Sequence, residues 1–332
     1  MRALKISVIV LVVFILGYLA GPQPATPHYS SVLPTVPGSS DSLEQYVLQQ
    51  EQQHQLKPGN EAKIVWDNDS LKARTEYAVV YLHGFSASQM EGDPVHRQFA
   101  KRFGCNLYLS RLQDHGIDTI APLGNFTAEG LWNSALEAVA IGKSLGKKVI
   151  LMSTSTGGTL ALKLAATFPE IAGLILLSPN IEINDNKAWL LNNPWGLQIA
   201  KSIVGDMRTV SDTTAIYARY WNYQYKTTAV VQLQELLETT MKATVFEKVK
   251  QPTLLLYYYK NEKEQDPVVK VTAMKRMFRQ LGTPDSLKQE QALPLAGDHV
   301  LGSPIKSKDV AGVDSACTDF AIRVLKWKLV RR

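Results

Sequence analysis

Cysteine is nearly absent from this chain of 332 residues, which carries only Cys105 and Cys317. Two thiols cannot frame a disulfide scaffold, although an exported chain would permit them to pair. Neither stands with a histidine and a third partner in the pattern of a cysteine nucleophile. No histidine–carboxylate spacing suggests a zinc site, so neither metal nor cofactor is expected. A phosphate loop is excluded too, because the glycine it needs five residues before Gly142-Lys143-Ser144 is Glu137. The net charge of +6 is scattered, with no basic stripe carrying interleaved aromatics, and nucleic acid is not expected as a partner. The densest basic stretch, Lys326, Lys328, Arg331 and Arg332, suits a solvated helix end.

What is present is ordinary globular material. With 45% hydrophobic and 20% charged residues, the chain can bury a large core. The first segment differs from the rest. Ile6 to Ala20 are nearly all apolar, Arg2 and Lys5 precede them, and no lysine or arginine follows until Lys57. That asymmetry keeps the N-terminus inside and sends the rest across a membrane. Cleavage after Ala20 or Gly21 would place Tyr18 or Leu19 at a position that wants a small residue. Residues 1–21 are therefore expected to be an uncleaved membrane anchor with the main domain on the exported side, periplasmic or extracellular, secretion after cleavage being the alternative.

Residues 22–58 read as a linker and a short helix. Gly21 to Ser40 is rich in Pro, Ser and Thr and should be extended and poorly ordered. Asp41 should cap a polar helix, with Glu44 in the capping-box position. From Gly59 onward short apolar strands alternate with helices. Strands are expected at Lys63–Asp67, Tyr77–Leu82, Asn106–Leu112, Lys148–Met152, Ala172–Leu177, Thr253–Tyr259 and just before Leu295. Helices are expected at Pro94–Phe103, Glu129–Leu145, Gly157–Phe168, Val268–Leu281 and Val310–Leu329. Such alternation means an α/β fold, a doubly wound and mostly parallel sheet, spanning residues 59–332. Chemistry then sits at the carboxyl ends of the strands. Between residues 181 and 249 the alternation stops in an aromatic, helical stretch, read as an inserted lid.

Four elements fall at strand ends. Lys148–Met152 runs through Ser153-Thr154-Ser155-Thr156-Gly157-Gly158 into a helix. A serine on such a turn projects its hydroxyl above the sheet and needs small neighbours two residues away. Gly157 satisfies this on one side, and Ser153 replaces the usual glycine on the other. The strand Tyr77–Leu82 ends in His83-Gly84-Phe85-Ser86, where the Phe85 amide, with that of Thr156, could hold an oxyanion. His83 reads as a structural turn residue. Asp266 follows another strand, with Glu262, Glu264 and Asp298 as rivals for the same role. His299 follows the last strand, with His115 as its serious rival. The order is oxyanion loop, Ser155, Asp266, His299.

On His83-Gly84-Phe85, Asp114-His115-Gly116, Ser153 to Gly158, Asp266 and His299, the chain resembles the α/β-hydrolase superfamily, in particular its carboxylesterases and monoacylglycerol-lipase-like members. The resemblance runs from about Lys63 to the C-terminus. It implies a serine hydrolase with Ser155 as nucleophile, His299 as base, Asp266 as the orienting acid, and a lid over the site. The substrate expected is a small-molecule carboxylic ester, apolar or lipid-like, with Trp189, Tyr220 and Trp221 of the lid as contacts. A thioesterase or amidase of the same fold is the alternative, as is a non-catalytic scaffold for a hydrophobic partner.

Overall fold

A computed structural model describes residues 2–330. Helix α1 (Arg2–Leu19) opens the chain, and α2 (Ser40–Gln52) follows. The sheet begins with β1 (Lys63–Val65), β2 (Thr75–Leu82), α3 (Val95–Phe103) and β3 (Asn106–Leu109). Next come α4 (Ala128–Leu145), β4 (Gly146–Thr154), α5 (Thr156–Thr167) and β5 (Gly173–Leu177). The insertion holds α6 (Gly196–Val204), β6 (Met207–Thr209), α7 (Ala215–Tyr220), β7 (Gln224–Lys226), α8 (Thr227–Thr240) and α9 (Ala243–Phe246). The chain returns with β8 (Thr253–Tyr257), α10 (Val271–Gln280), β9 (Lys288–Ala292) and α11 (Val310–Arg323).

The main sheet has the order β1-β3-β2-β4-β5-β8-β9. Only β1 pairs antiparallel; the other neighbours are parallel. Helices cover both faces, so the central strands are apolar on both sides, whereas the edge strand β9 is mostly polar and half-buried. Alternate residues divide between two cores. Ala78, Val80 and Leu82 of β2 join Leu131, Leu160 and Met274 on one face. Val79 and Tyr81 join Phe99, Val313 and Phe320 on the other. The parallel pairing leaves the carboxyl ends of β2, β4, β5 and β8 along one rim, above which the insertion between β5 and β8 is placed.

Several expectations change. The apolar part of α1 starts only after Lys5 and rises roughly 21 Å at 1.5 Å per residue, against a hydrocarbon core of about 30 Å. Among the described residues, no helix is long and apolar enough to cross a membrane. This overturns the transmembrane signal-anchor expected of residues 1–21, and the membrane-anchored, exported location that rested on it. The end of α1 instead meets the insertion, where Trp195 Nε1 donates to Gly17 O at 3.0 Å and Trp195 N to Pro22 O at 3.0 Å.

The stretch after α1 has no regular element but is docked. Trp132 Nε1 donates to Ser30 O, and the Tyr29 and Trp132 rings meet edge to face. Helix α2 is capped by Ser39, not Asp41, and buries Leu43 and Val47. Glu44 binds Trp66 and Lys72 rather than closing a capping box. At the other end α11 stops at Arg323. Lys326 has a positive φ, and Trp327 folds back onto Tyr77, Phe99 and Phe103. Lys326 and Lys328 therefore lie beyond the helix rather than at its end, and Arg331 and Arg332 lie outside the described residues. Cys105 and Cys317 are free and buried.

Candidate active site

The turn from β4 to α5 places Ser155 at φ 54°, ψ −119°, a conformation that side-chain-bearing residues rarely hold. The surroundings determine it. Ser155 N donates to Leu177 O at 3.0 Å, while Gly158 N and Asn180 N donate to Ser155 O at 2.8 and 2.9 Å. A Cβ on residue 157 would lie 2.0 Å from Leu82 O, so only glycine fits there. On the other side Ser153 is buried and donates to Ile175 O at 3.4 Å. Serine is small enough to stand where a glycine was expected.

The loop after β2 is held by three side chains. Gly84 N donates to Glu91 Oε2 at 2.6 Å. Ser86 N donates to His115 Nε2 at 3.1 Å, and His115 Nδ1 meets Gln113 O at 2.8 Å. Leu112 N donates to His83 Nε2, whose Nδ1 meets Gly84 O. Because each Nε2 accepts, both rings are neutral and carry their proton on Nδ1. Burial pushes His83 well below the ordinary histidine range and His115 down to about 4. His115 is thus a tether, not a rival base. Ala87 N is bound to Gly84 O. Of the amides from Gly84 to Ala87, this leaves Phe85 N–H without a partner among the described residues. The Thr156 amide lies in the first turn of α5, where no intrahelical acceptor exists.

Asp266 is 1% exposed and has both oxygens engaged. Oδ1 accepts Val268 N and Val269 N at 2.9 and 3.0 Å. Oδ2 meets His299 Nδ1 at 2.7 Å. Burial alone would lower the His299 pKa, but the Asp266 charge and hydrogen bond outweigh it and hold it above the ordinary value. With Nδ1 donating to Asp266, Nε2 is free to act as base. It is buried and has no hydrogen-bond partner among the described residues. The rival acids point elsewhere. Glu262 binds Tyr259 and Glu264 binds Lys260 and Asn261 at the surface. Asp298 accepts from Val300 N and lies near Lys306.

A cleft of about 810 Å³ joins Ser155, His299 and Phe85. Ile183, Leu191, Val210, Tyr225, Val230 and Leu233, all from the insertion, form an apolar wall. Of the three lid aromatics singled out from sequence, Trp221 lines the cleft, stacked on Tyr217 with ring centroids 5.1 Å apart. Trp189 is 55% exposed and outside it. Tyr220 packs beside Gly59 under Arg219. The insertion is tied to the loop by Asn222 N, which donates to Ser86 O, and to the segment before β1 by Lys57, which donates to Ala218 O, Trp221 O and Asn222 Oδ1. Sequence reasoning missed Glu91, for which the only signal is an acid shortly after His83-Gly84.

Residues 79–307 match the alpha/beta hydrolase family. The chain belongs to that family. Its fold is similar to that of the metagenome-derived lipolytic enzymes LipS and LipT, at 19% identity and a TM-score of 0.60, covering 80% of this chain and 98% of that one. It is similar also to Est1E from Butyrivibrio proteoclasticus with bound ferulic acid, at 16% identity and a TM-score of 0.55, covering 80% and 95%. A third likeness is to the monoacylglycerol lipase of Paleococcus ferrophilus, at 16% identity and a TM-score of 0.52, covering 77% and 98%. No curated protein matches the chain.

Proposed function

We propose that the protein is a serine esterase that cleaves a carboxylic ester through an acyl-enzyme on Ser155. The observation that carries this reading is the Asp266–His299 pair at 2.7 Å, whose free Nε2 shares a cleft with Ser155. His299 Nε2 takes the Ser155 proton as the oxygen attacks the ester carbonyl. The negative oxygen that forms is held by the Phe85 and Thr156 amides, reinforced by the positive end of α5. His299 then protonates the departing alcohol, and the acyl group remains on Ser155. Water, deprotonated by the same nitrogen, releases the acid and restores the serine. Asp266 holds the imidazole tautomer throughout and stabilises its cation. No step calls for a metal or cofactor.

The apolar wall of the cleft favours an ester with an apolar acyl or alkyl group. Tyr217, Trp221 and Tyr225 of the insertion line this cleft and would touch such a group, whereas Trp189 and Tyr220 lie outside. The test is labelling by a fluorophosphonate, followed by hydrolysis of p-nitrophenyl esters of increasing chain length. Labelling lost in Ser155→Ala, with hydrolysis rising with acyl length, supports the reading. An unlabelled wild-type protein would sink it.

A further inference from the structure

Glu91 is a carboxyl group inside the site that the acyl-transfer scheme leaves unused. It is 2% exposed and lines the same cleft as Ser155 and His299. Its Oε2 accepts the Gly84 amide at 2.6 Å. Its two oxygens, at 2.9 and 3.0 Å, and Ser155 Cβ, at 3.0 Å, all crowd the point where a Cβ on Gly84 would sit. The acid is thus packed against the backbone that presents the Phe85 amide, beside the side chain of the nucleophile. Burying an acid costs stability unless its charge is compensated, and an apolar residue could fill the same space.

We propose that Glu91 is a positioning residue that fixes the Gly84–Phe85 turn and supplies a second negative charge for the imidazolium that His299 becomes. This rests on the acyl-transfer reading above. Asp266 grips one ring nitrogen directly, whereas Glu91 makes no hydrogen bond to the ring and acts across space. In a buried site such an interaction is far less screened than in water. It is also reciprocal: His299 favours the charged form of Glu91, and Glu91 favours that of His299. The other groups that face Glu91 come from several elements. Tyr81 lies on β2, Tyr217 in α7, Trp221 just after it, and Asp298 beside His299. Burial opposes ionisation most strongly and Asp298 adds to it, while the Gly84 amide, His299 and Trp221 favour it. The carboxyl is pushed up to about 7 as a result.

Glu91→Gln keeps the shape and an acceptor for Gly84 and removes only the charge. With p-nitrophenyl butyrate, kcat should fall roughly tenfold or more while KM stays within about twofold, the pattern of an interaction made in the transition state. The His299 imidazole, followed by ¹⁵N NMR, should titrate at lower pH in the variant. An unchanged kcat overturns the proposal, as does an unchanged His299 titration, or a change confined to KM. If wild type neither takes fluorophosphonate nor hydrolyses any ester, the acyl-transfer reading falls, and the His299 titration alone then decides the coupling. If the variant fails to fold, the wild-type protein decides. A shared inflection in the Glu91 ¹³Cδ and His299 ring shifts supports the proposal, and independent titrations overturn it.

Discussion

The same substitution, Glu91→Gln, should make the protein more stable at alkaline pH. In the unfolded chain the Glu91 carboxyl titrates near 4.5, and in the folded protein burial holds its proton until about 7. Between these values the folded state binds more protons than the unfolded state. Stability therefore falls as pH rises through that window; the contribution is fully present below 4.5 and lost above 7. A gap of this size corresponds to about 3 kcal/mol, at 1.36 kcal/mol per pH unit. Glutamine does not titrate, so wild type should lose about 3 kcal/mol relative to Glu91→Gln between pH 4 and pH 8.5. Apart from His299, whose own titration moves down in the variant with the loss of the Glu91 charge, the other groups titrate alike in both proteins and cancel in the difference. The assay is urea or thermal unfolding of both proteins at closely spaced pH values. For a domain of this size the relative Tm should move by several degrees, at roughly 2 °C or more per kcal/mol. Stability curves that run parallel across the whole range would refute the reasoning, because Glu91 would then ionise as easily inside as outside. A variant that gains stability and loses kcat would mark a charge retained for chemistry at a cost to the fold.

Ser155→Ala should keep the fold and lower kcat on the order of 10⁴-fold or more, read by p-nitrophenyl ester hydrolysis and circular dichroism. Asp266→Asn should lower kcat by roughly 10⁴ by favouring the wrong histidine tautomer, while Glu264→Gln, at the surface, should leave it unchanged. Gly157→Ala should fail to accumulate as folded protein, since its Cβ would sit 2.0 Å from Leu82 O; a soluble variant with wild-type Tm would contradict the geometry of the turn. Trp221→Ala should raise KM for long-chain esters severalfold, and Trp189→Ala, outside the cleft, should not.

Much of the sheet was legible because its strands are short apolar runs bounded by polar turns, and a strand buried on both faces has few other readings. The ends of elements were less so. Asn106–Leu109 stops short of Leu112 because His83 takes the Leu112 amide, and that competition comes from a residue distant in sequence. Helix α11 ends early because Trp327 finds an aromatic site formed by β2 and α3. The hydropathy of residues 6–20 showed an apolar helix but not what it meets, and its length settles against a span.

The site divides along the same physical line. Ser155, Asp266 and His299 stood out as candidates because each belongs to a connection that leaves the carboxyl end of a strand, Ser155 at once and the other two further along, and parallel strands bring those ends to one rim. Their meeting needs only the topology. The lid aromatics depend instead on which way each side chain turns once the insertion is tied down. Lys57 and Ser86, far away in sequence, decide that: by holding Ala218, Trp221 and Asn222 they turn Trp221 toward the cleft, and Tyr220 packs against Gly59. Glu91 is the extreme case. An acid in a loop reads as solvated, and what changes its chemistry is enclosure by β2, the insertion and the His299 loop together. Groups whose role follows from chain order can be found by spacing, whereas groups whose role follows from desolvation need the packed fold.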